Sequence, residues 1–203
     1  MDMTTEKHSY HHGDLRAALL RAGEAVLAET GVEGFSLRRV AREVGVSHSA
    51  PAHHFGDTQG LLAALAAEGF RQFLDAMQAR QAACDSQDAG ELLIASGLGY
   101  LDFTLAAPAL FKLMFGSDRV DVCDPDLDAS AGAAFDHLAQ DIARLRGTSP
   151  YEDAAAMTDV MAAWSMVHGF ASLLLSGRMH PVQEMDQPAR EAFFRQVFAR
   201  VTG

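Results

Sequence analysis

Three observations predict an all-α fold. Apolar residues recur at steps of three and four along most of the 203-residue chain, the spacing that lines side chains up on one face of a helix. No alternating apolar–polar run bounded by tight-turn residues occurs, so no strand is predicted. Prolines and glycines stand between the periodic stretches, where helices start and stop. About nine helices follow. Hydrophobic residues form 49% of the chain and charged residues 21%, ample for a packed core and unlike a disordered chain.

The elements read in order. Leu15, Leu19, Ala22, Val26 and Leu27 share a face of the first helix. Residues 34–56 make an unusually short pair. Leu62, Leu65, Gly69, Phe73 and Met77 define a longer helix, and Ile94, Leu98, Leu101 and Leu105 the next. Pro108, Pro125, Pro150 and Pro188 each stand where a helix can begin, because proline at the first helical position loses no needed donor. Asp124 and Ser149 precede two of them as N-caps. Gly31 and Gly147 suit the left-handed conformation just past a helix end. The acidic stretch from Gly116 to Asp128 reads as a surface loop. Met157, Val160, Trp164, Val167, Ala171 and Leu174 stripe a late helix, and Phe194, Val197, Phe198 and Val201 the last.

Composition excludes several classes of function. Cys84 and Cys123 are too few and too far apart for a disulfide framework, so they read as free thiols in a reducing compartment. No apolar run reaches the roughly 20 residues of a membrane span, and Met1 to His12 lacks the apolar core of a signal peptide. A cytoplasmic protein with no membrane partner is expected. Of nine histidines, six (His8, His11, His12, His48, His53 and His54) lie in the N-terminal part. His48 and His53 are five apart, not the three or four that align metal ligands on a helix. No HExxH, CxxC, GxSxG or phosphate-cradling glycine loop occurs. No catalytic residue, metal or cofactor is expected, and the protein is not expected to be an enzyme.

Residues 34–56 carry the most information. Ser36 is a good N-cap for a helix holding Leu37, Val40, Ala41 and Val44, and Phe35 with Val40 has the spacing of a hydrophobic staple. Gly45 breaks that helix, Val46 turns inward, and Ser47 is placed to cap a second helix that ends near Phe55. Small Ala41 allows a close crossing. This is a helix-turn-helix, which presents its second helix to the major groove. The outward face would hold His48, Ser49, Ala52 and His53, with no acidic residue from Gly45 to Gly56. Arg38, Arg39 and Arg42 precede it, suited to phosphates or to a bidentate pair with guanine.

These residues resemble the TetR family of transcriptional regulators. The resemblance lies in Tyr10-His11-His12-Gly13, in Phe35-Ser36-Leu37-Arg38-Arg39-Val40-Ala41, and in Gly45-Val46-Ser47 followed by His53-His54-Phe55-Gly56. Pro108 to Gly116, and Trp164-Ser165-Met166-Val167-His168-Gly169, resemble a group of that family with a Trp–His–Gly signature. The resemblance implies an Ω-shaped homodimer paired through its last two helices, with a three-helix DNA-binding head on each subunit. It divides the chain into a flexible arm (1–12), a helix-turn-helix domain (13–73) and a ligand-binding and dimerisation domain (74–203). Arg38 is then the base contact, with Ser36, Ser47 and His53 near phosphates. Ala52 and Thr58 stand where the family usually has tyrosine and lysine, both of which hold the DNA backbone. Pro51 removes one amide donor from the recognition helix.

The family also implies a small-molecule effector site, for which Phe103, Phe111, Met114, Phe115, Trp164 and His168 are the candidates. The expected function is a repressor released from a palindromic operator on double-stranded DNA by a small, largely apolar ligand. The alternative is a helical ligand-binding or adaptor protein whose DNA binding has weakened. The net charge of −11 is unevenly spread. Residues 1–60 carry six Lys and Arg against eight Asp and Glu, and the rest ten against nineteen. Attraction to phosphate is thus confined to a small patch, and binding should lean on groove fit and symmetry.

Overall fold

A computed structural model describes residues 12–202. The arm expected at 1–12 lies outside the described residues except for its last position. Among the described residues there are ten helices and no strand. They are α1 (His12–Thr30), α2 (Leu37–Val44), α3 (Ala50–Phe55), α4 (Thr58–Ala82), α5 (Ala89–Ala106), α6 (Pro108–Gly116), α7 (Pro125–Arg146), α8 (Ala154–Leu175), α9 (His180–Gln183) and α10 (Gln187–Thr202). The helix beyond the nine expected is α9. It is a single turn, too short to show a periodicity.

The head is α1 to α3 packed on the start of α4. Leu19, Val26 and Leu27 of α1 and Phe35, Val40 and Ala41 are all buried, each large side chain contributing about 1.5–3 kcal/mol. Ser36 caps α2 as expected, its Oγ accepting the Arg39 amide at 3.4 Å. Gly45 ends α2 at φ 77°, donating its N–H back into the last turn. Only glycine adopts that backbone without strain. Arg16 of α1 lies over the Phe55 ring at 5.3 Å, which fixes the far end of α3.

Ser47 departs from expectation. It does not open α3, which begins three residues later, and its Oγ faces that of Ser49 at 3.2 Å. A helix starting at Ser47 would need the amide of Pro51 to reach the Ser47 carbonyl, and proline has no N–H. The Ala50 amide takes that carbonyl instead at 3.0 Å, making a tight turn. Pro51 then falls in the first turn of α3, where its missing donor costs nothing.

Helix α4 joins head and body. Asp57 caps it through the Gly60 amide at 2.9 Å, and at 1.5 Å per residue its length is roughly 37 Å. Its first half packs on α1 and α3, its second on α5, α6 and α7. Gly99 makes the crossing with α5 possible: a Cβ there would lie 2.4 Å from the Ala76 carbonyl oxygen and 2.5 Å from the Met77 Cα. The end of α4 is tied down on three sides. Arg80 pairs with Asp102 of α5 at 2.5 Å and with Glu191 of α10 at 2.7 Å. Gln81 donates to the Leu92 carbonyl at 3.1 Å and to Asp141 of α7 at 2.8 Å.

Asp124 caps α7 through two amides, and Gly147 ends it at φ 73°. Ser149 does not cap α8. Its carbonyl closes a turn by accepting the Glu152 and Asp153 amides, and Asp153 is the cap, taking the Ala155 amide at 2.9 Å. Pro188 is the second residue of α10, and Asp186 caps that helix through Ala189 at 2.9 Å. The acidic loop occupies residues 117–124. No single helix among the described residues is long and apolar enough to cross a membrane. Helices α5 and α6 meet at 106°, and the apolar side chains of α5 are largely buried in the core.

Candidate nucleic-acid interface and internal cavity

The turn after α2 and the short α3 stand clear of the body. His48, Ser49, Ala52 and His53 are all exposed, as are Arg38, Arg42 and Ser47. Ser36 and Thr58 are half-buried at the starts of α2 and α4. Pro51 is buried against the head, and Val46 packs on its core. One face thus meets the core and the other offers short polar side chains. The two adjacent arginines differ. Arg38 forms no ion pair among the described residues, whereas Arg39 is held by Glu29 of α1 at 2.5 Å.

A cavity of about 230 Å³ lies in the body between α4, α5, α6, α7, α8 and α10. Its walls are almost wholly apolar, with Phe70, Phe73 and Met77 supplied by α4. Of the six residues the resemblance pointed to, Phe115 and Trp164 line it. Phe103 packs its ring on Phe73 at 5.4 Å, behind the wall. Phe111 stacks on His168 at 5.4 Å. Met114 covers Gly69, where a Cβ would meet its sulfur at 2.7 Å. His168 stands one layer back, its Nδ1 hydrogen-bonded to the Tyr100 hydroxyl at 2.8 Å.

The lining residues that sequence reasoning missed include Ser96 and Tyr100, which carry hydroxyl groups. A signal for them exists: they lie four apart on α5, an otherwise strongly apolar helix, and so share a face. Burial pushes the Tyr100 phenol well above its ordinary value, so it stays protonated. Burial holds the His168 ring below the usual histidine value, so it is neutral at pH 7. At the mouth, Trp164 (36% exposed) meets half-buried Phe135 edge to face at 5.9 Å.

Behind Ser96 lies a buried polar cluster. Asp141 is 1% exposed and accepts from Gln81 Nε2 at 2.8 Å and Arg144 Nη1 at 2.9 Å. Burial raises its carboxyl above the usual value, against the pull of those donors and of the Ser96 hydroxyl. His137 Nε2 is 3.7 Å from Asp141 and has no hydrogen-bond partner. Burial holds His137 below the usual value. No group of three or more potential metal ligands occurs among the described residues.

A helix-turn-helix carried by a long helix that also walls an apolar cavity defines a DNA-binding regulator with a separate regulatory domain. Comparison with known proteins agrees. Residues 93–201 match the family described as tetracyclin repressor-like, C-terminal domain, and residues 19–65 match bacterial regulatory proteins, tetR family. The chain belongs to the TetR family of transcriptional regulators, which are transcription factors and not enzymes. It is similar to a solved protein of unknown function from Rhodococcus sp. RHA1, with 30% identity and a TM-score of 0.77, over 96% of this chain and 98% of that one. It shares the fold of a TetR variant from Acinetobacter baumannii AYE in complex with minocycline (18% identity, TM-score 0.59, covering 95% and 94%). It also shares the fold of the fatty acid degradation regulator FadR from Bacillus halodurans (16% identity, TM-score 0.64, covering 90% and 97%). No curated protein matches the chain.

Proposed function

We infer that the protein is a repressor that holds a palindromic operator as a homodimer and releases it when a small, largely apolar ligand fills the cavity. One observation carries this reading. Helix α4 underlies the exposed α3 at one end and walls the cavity with Phe70, Phe73 and Met77 at the other. The division into a head (13–73) and a regulatory domain (74–203) falls within this unbroken helix. A ligand that fits one position of α4 better than another shifts the head by that difference in affinity, and by no more.

In this reading Arg38 reads a base, while Ser36, Ser47, His48, Ser49 and His53 approach phosphates or base edges. Arg39, paired with Glu29, faces the backbone from the groove's rim, and Ala52 and Thr58 make closer but weaker contacts than the family's usual tyrosine and lysine. The dimer uses α8 and α10. Met161 and Leu173 are exposed on α8, and Thr158, Ala162 and Ser165 add small exposed side chains. A two-fold axis there would set two heads against successive major grooves. The second reading, a ligand-binding or adaptor protein with weakened DNA binding, is favoured only by the absence of those two phosphate-holding side chains.

A gel shift with the promoter DNA beside the protein's own gene, repeated across salt concentrations, tests the choice. A sequence-selective shift that weakens as salt rises supports the repressor. No selective shift at low salt removes it in favour of the adaptor.

A further inference from the structure

We propose that the cavity takes an uncharged, hydroxyl-bearing ligand of about ten non-hydrogen atoms, an alcohol or a phenol, and rejects carboxylates and amines. The inference rests on the reading of this cavity as the effector site. Size comes first. An apolar cavity of about 150 Å³ holds benzene, so one of about 230 Å³ holds a molecule about half as large again. Aromatic rings of Phe70, Phe73, Phe115 and Trp164 form much of the wall, which suits a flat or slim apolar body.

Charge comes second. No lysine, arginine or histidine lines the cavity. A carboxylate placed inside would lose its water and gain no counter-charge, a strongly unfavourable exchange. An ammonium fares no better, because Asp141 is 1% exposed and its oxygens already accept from Gln81 and Arg144. No carboxyl lines the wall itself.

The hydroxyl follows from the two polar positions. Ser96 lines the cavity, and its hydroxyl acts on the Asp141 carboxyl behind it. Tyr100, four residues on, is tied to His168 Nδ1 at 2.8 Å. With Tyr100 so tied, Ser96 is the lining hydroxyl that the proposal sets opposite a ligand's O–H, while the rest of the ligand is surrounded by carbon. Pockets of this kind take orientation from few polar groups.

The test uses the full-length protein with octanol, 4-propylphenol, octyl methyl ether, octanoate and octylamine at pH 8. The chain has a single tryptophan, Trp164, which stands in the cavity wall, so its emission reports occupancy directly. Octanol and 4-propylphenol are expected to bind saturably, with octanoate and octylamine at least about tenfold weaker. Ser96→Ala should bring octanol down to the affinity of the ether. Ala134, another lining residue, gives a control: Ala134→Phe, which fills the cavity, should abolish the emission change while the helical circular-dichroism signal persists. Octanoate or octylamine binding within tenfold of octanol overturns the proposal, and so does an absence of saturable binding by both neutral hydroxyl compounds. Operator release is measured alongside. Octanol that binds without releasing DNA leaves the ligand class standing and refutes the repressor mechanism; octanoate that binds and releases DNA does the reverse.

Discussion

Arg38 and Arg39 are chain neighbours in opposite circumstances. Arg38 is exposed with no ion pair among the described residues, and Arg39 is half-buried against Glu29. If Arg38 reads a base, Arg38→Ala should cost about 1–3 kcal/mol of discrimination between operator and mismatched DNA. Competition binding with single-base operator variants measures this, and an equal loss on every sequence would make Arg38 a phosphate contact. A second residue-scale prediction concerns pH. Burial holds the His137 and His168 rings below the ordinary histidine value. The unfolded chain therefore binds protons first as pH falls. The stability tied to neutral rings is complete above about pH 6.5 and is lost as pH drops from there toward the lower folded values. Asp141 acts in the opposite sense, since burial raises its carboxyl: the folded chain holds that proton longer, and its contribution declines as pH rises through the folded value. Melting temperatures between pH 7.5 and 5.5 should fall in the native protein, and fall less in His137→Gln/His168→Gln. An equally steep fall in the variant refutes the assignment.

At the scale of elements, two glycines of α5 make different contacts and should respond differently. A Cβ at Gly99 meets the α4 backbone at Ala76 and Met77, whereas one at Gly97 meets the Phe194 ring at 2.9 Å. A ring can turn aside and a helix backbone cannot. Gly97→Ala should cost about 1–3 kcal/mol as an overpacking change, and Gly99→Ala more than that, because α4 and α5 must separate. Denaturant unfolding of the two variants decides it, and equal losses would show that the α4–α5 crossing is soft. Helix ends were legible where a single cap or breaker residue had no competitor nearby. Ser36, Asp124, Gly45 and Gly147 act in the structure as their local pattern implies. Ser47 and Ser149 fit the same local rule but do not cap with their side chains. In the first case Pro51 denies the helix its opening bond. In the second Asp153, four residues on, takes the role. N-cap preference ranks residues, and two acceptable residues close together leave the choice to the turn that forms.

At the scale of the whole molecule, α4 carries the argument. It is unbroken from Asp57 to the anchors at Arg80 and Gln81, so the head rides on a lever fixed in the body. In the proposed dimer, duplicating that lever through α8 and α10 would let a basic patch this small hold DNA despite a net charge of −11. Met161→Asp/Leu173→Asp should convert a dimer to a monomer in sedimentation experiments. Operator affinity should then collapse while the Trp164 response to ligand remains. A variant that stays dimeric would move the interface off this face.

The all-α fold, the head and the turn at Gly45 could be read from the chain alone, because periodicity, caps and breakers act between residues a few positions apart. The outward set of His48, Ser49, Ala52 and His53 was legible for the same reason. The cavity was not. Its lining comes from six helices, and nothing local distinguishes Phe103, packed behind the wall, from Phe115 within it. Apolar side chains are chemically alike, and only the way their helices cross decides which of them touch each other and which leave a space. The same holds for charge. Sequence spacing placed Arg38 and Arg39 together, and it took the position of α1 to pair one of them with Glu29 and leave the other open to solvent.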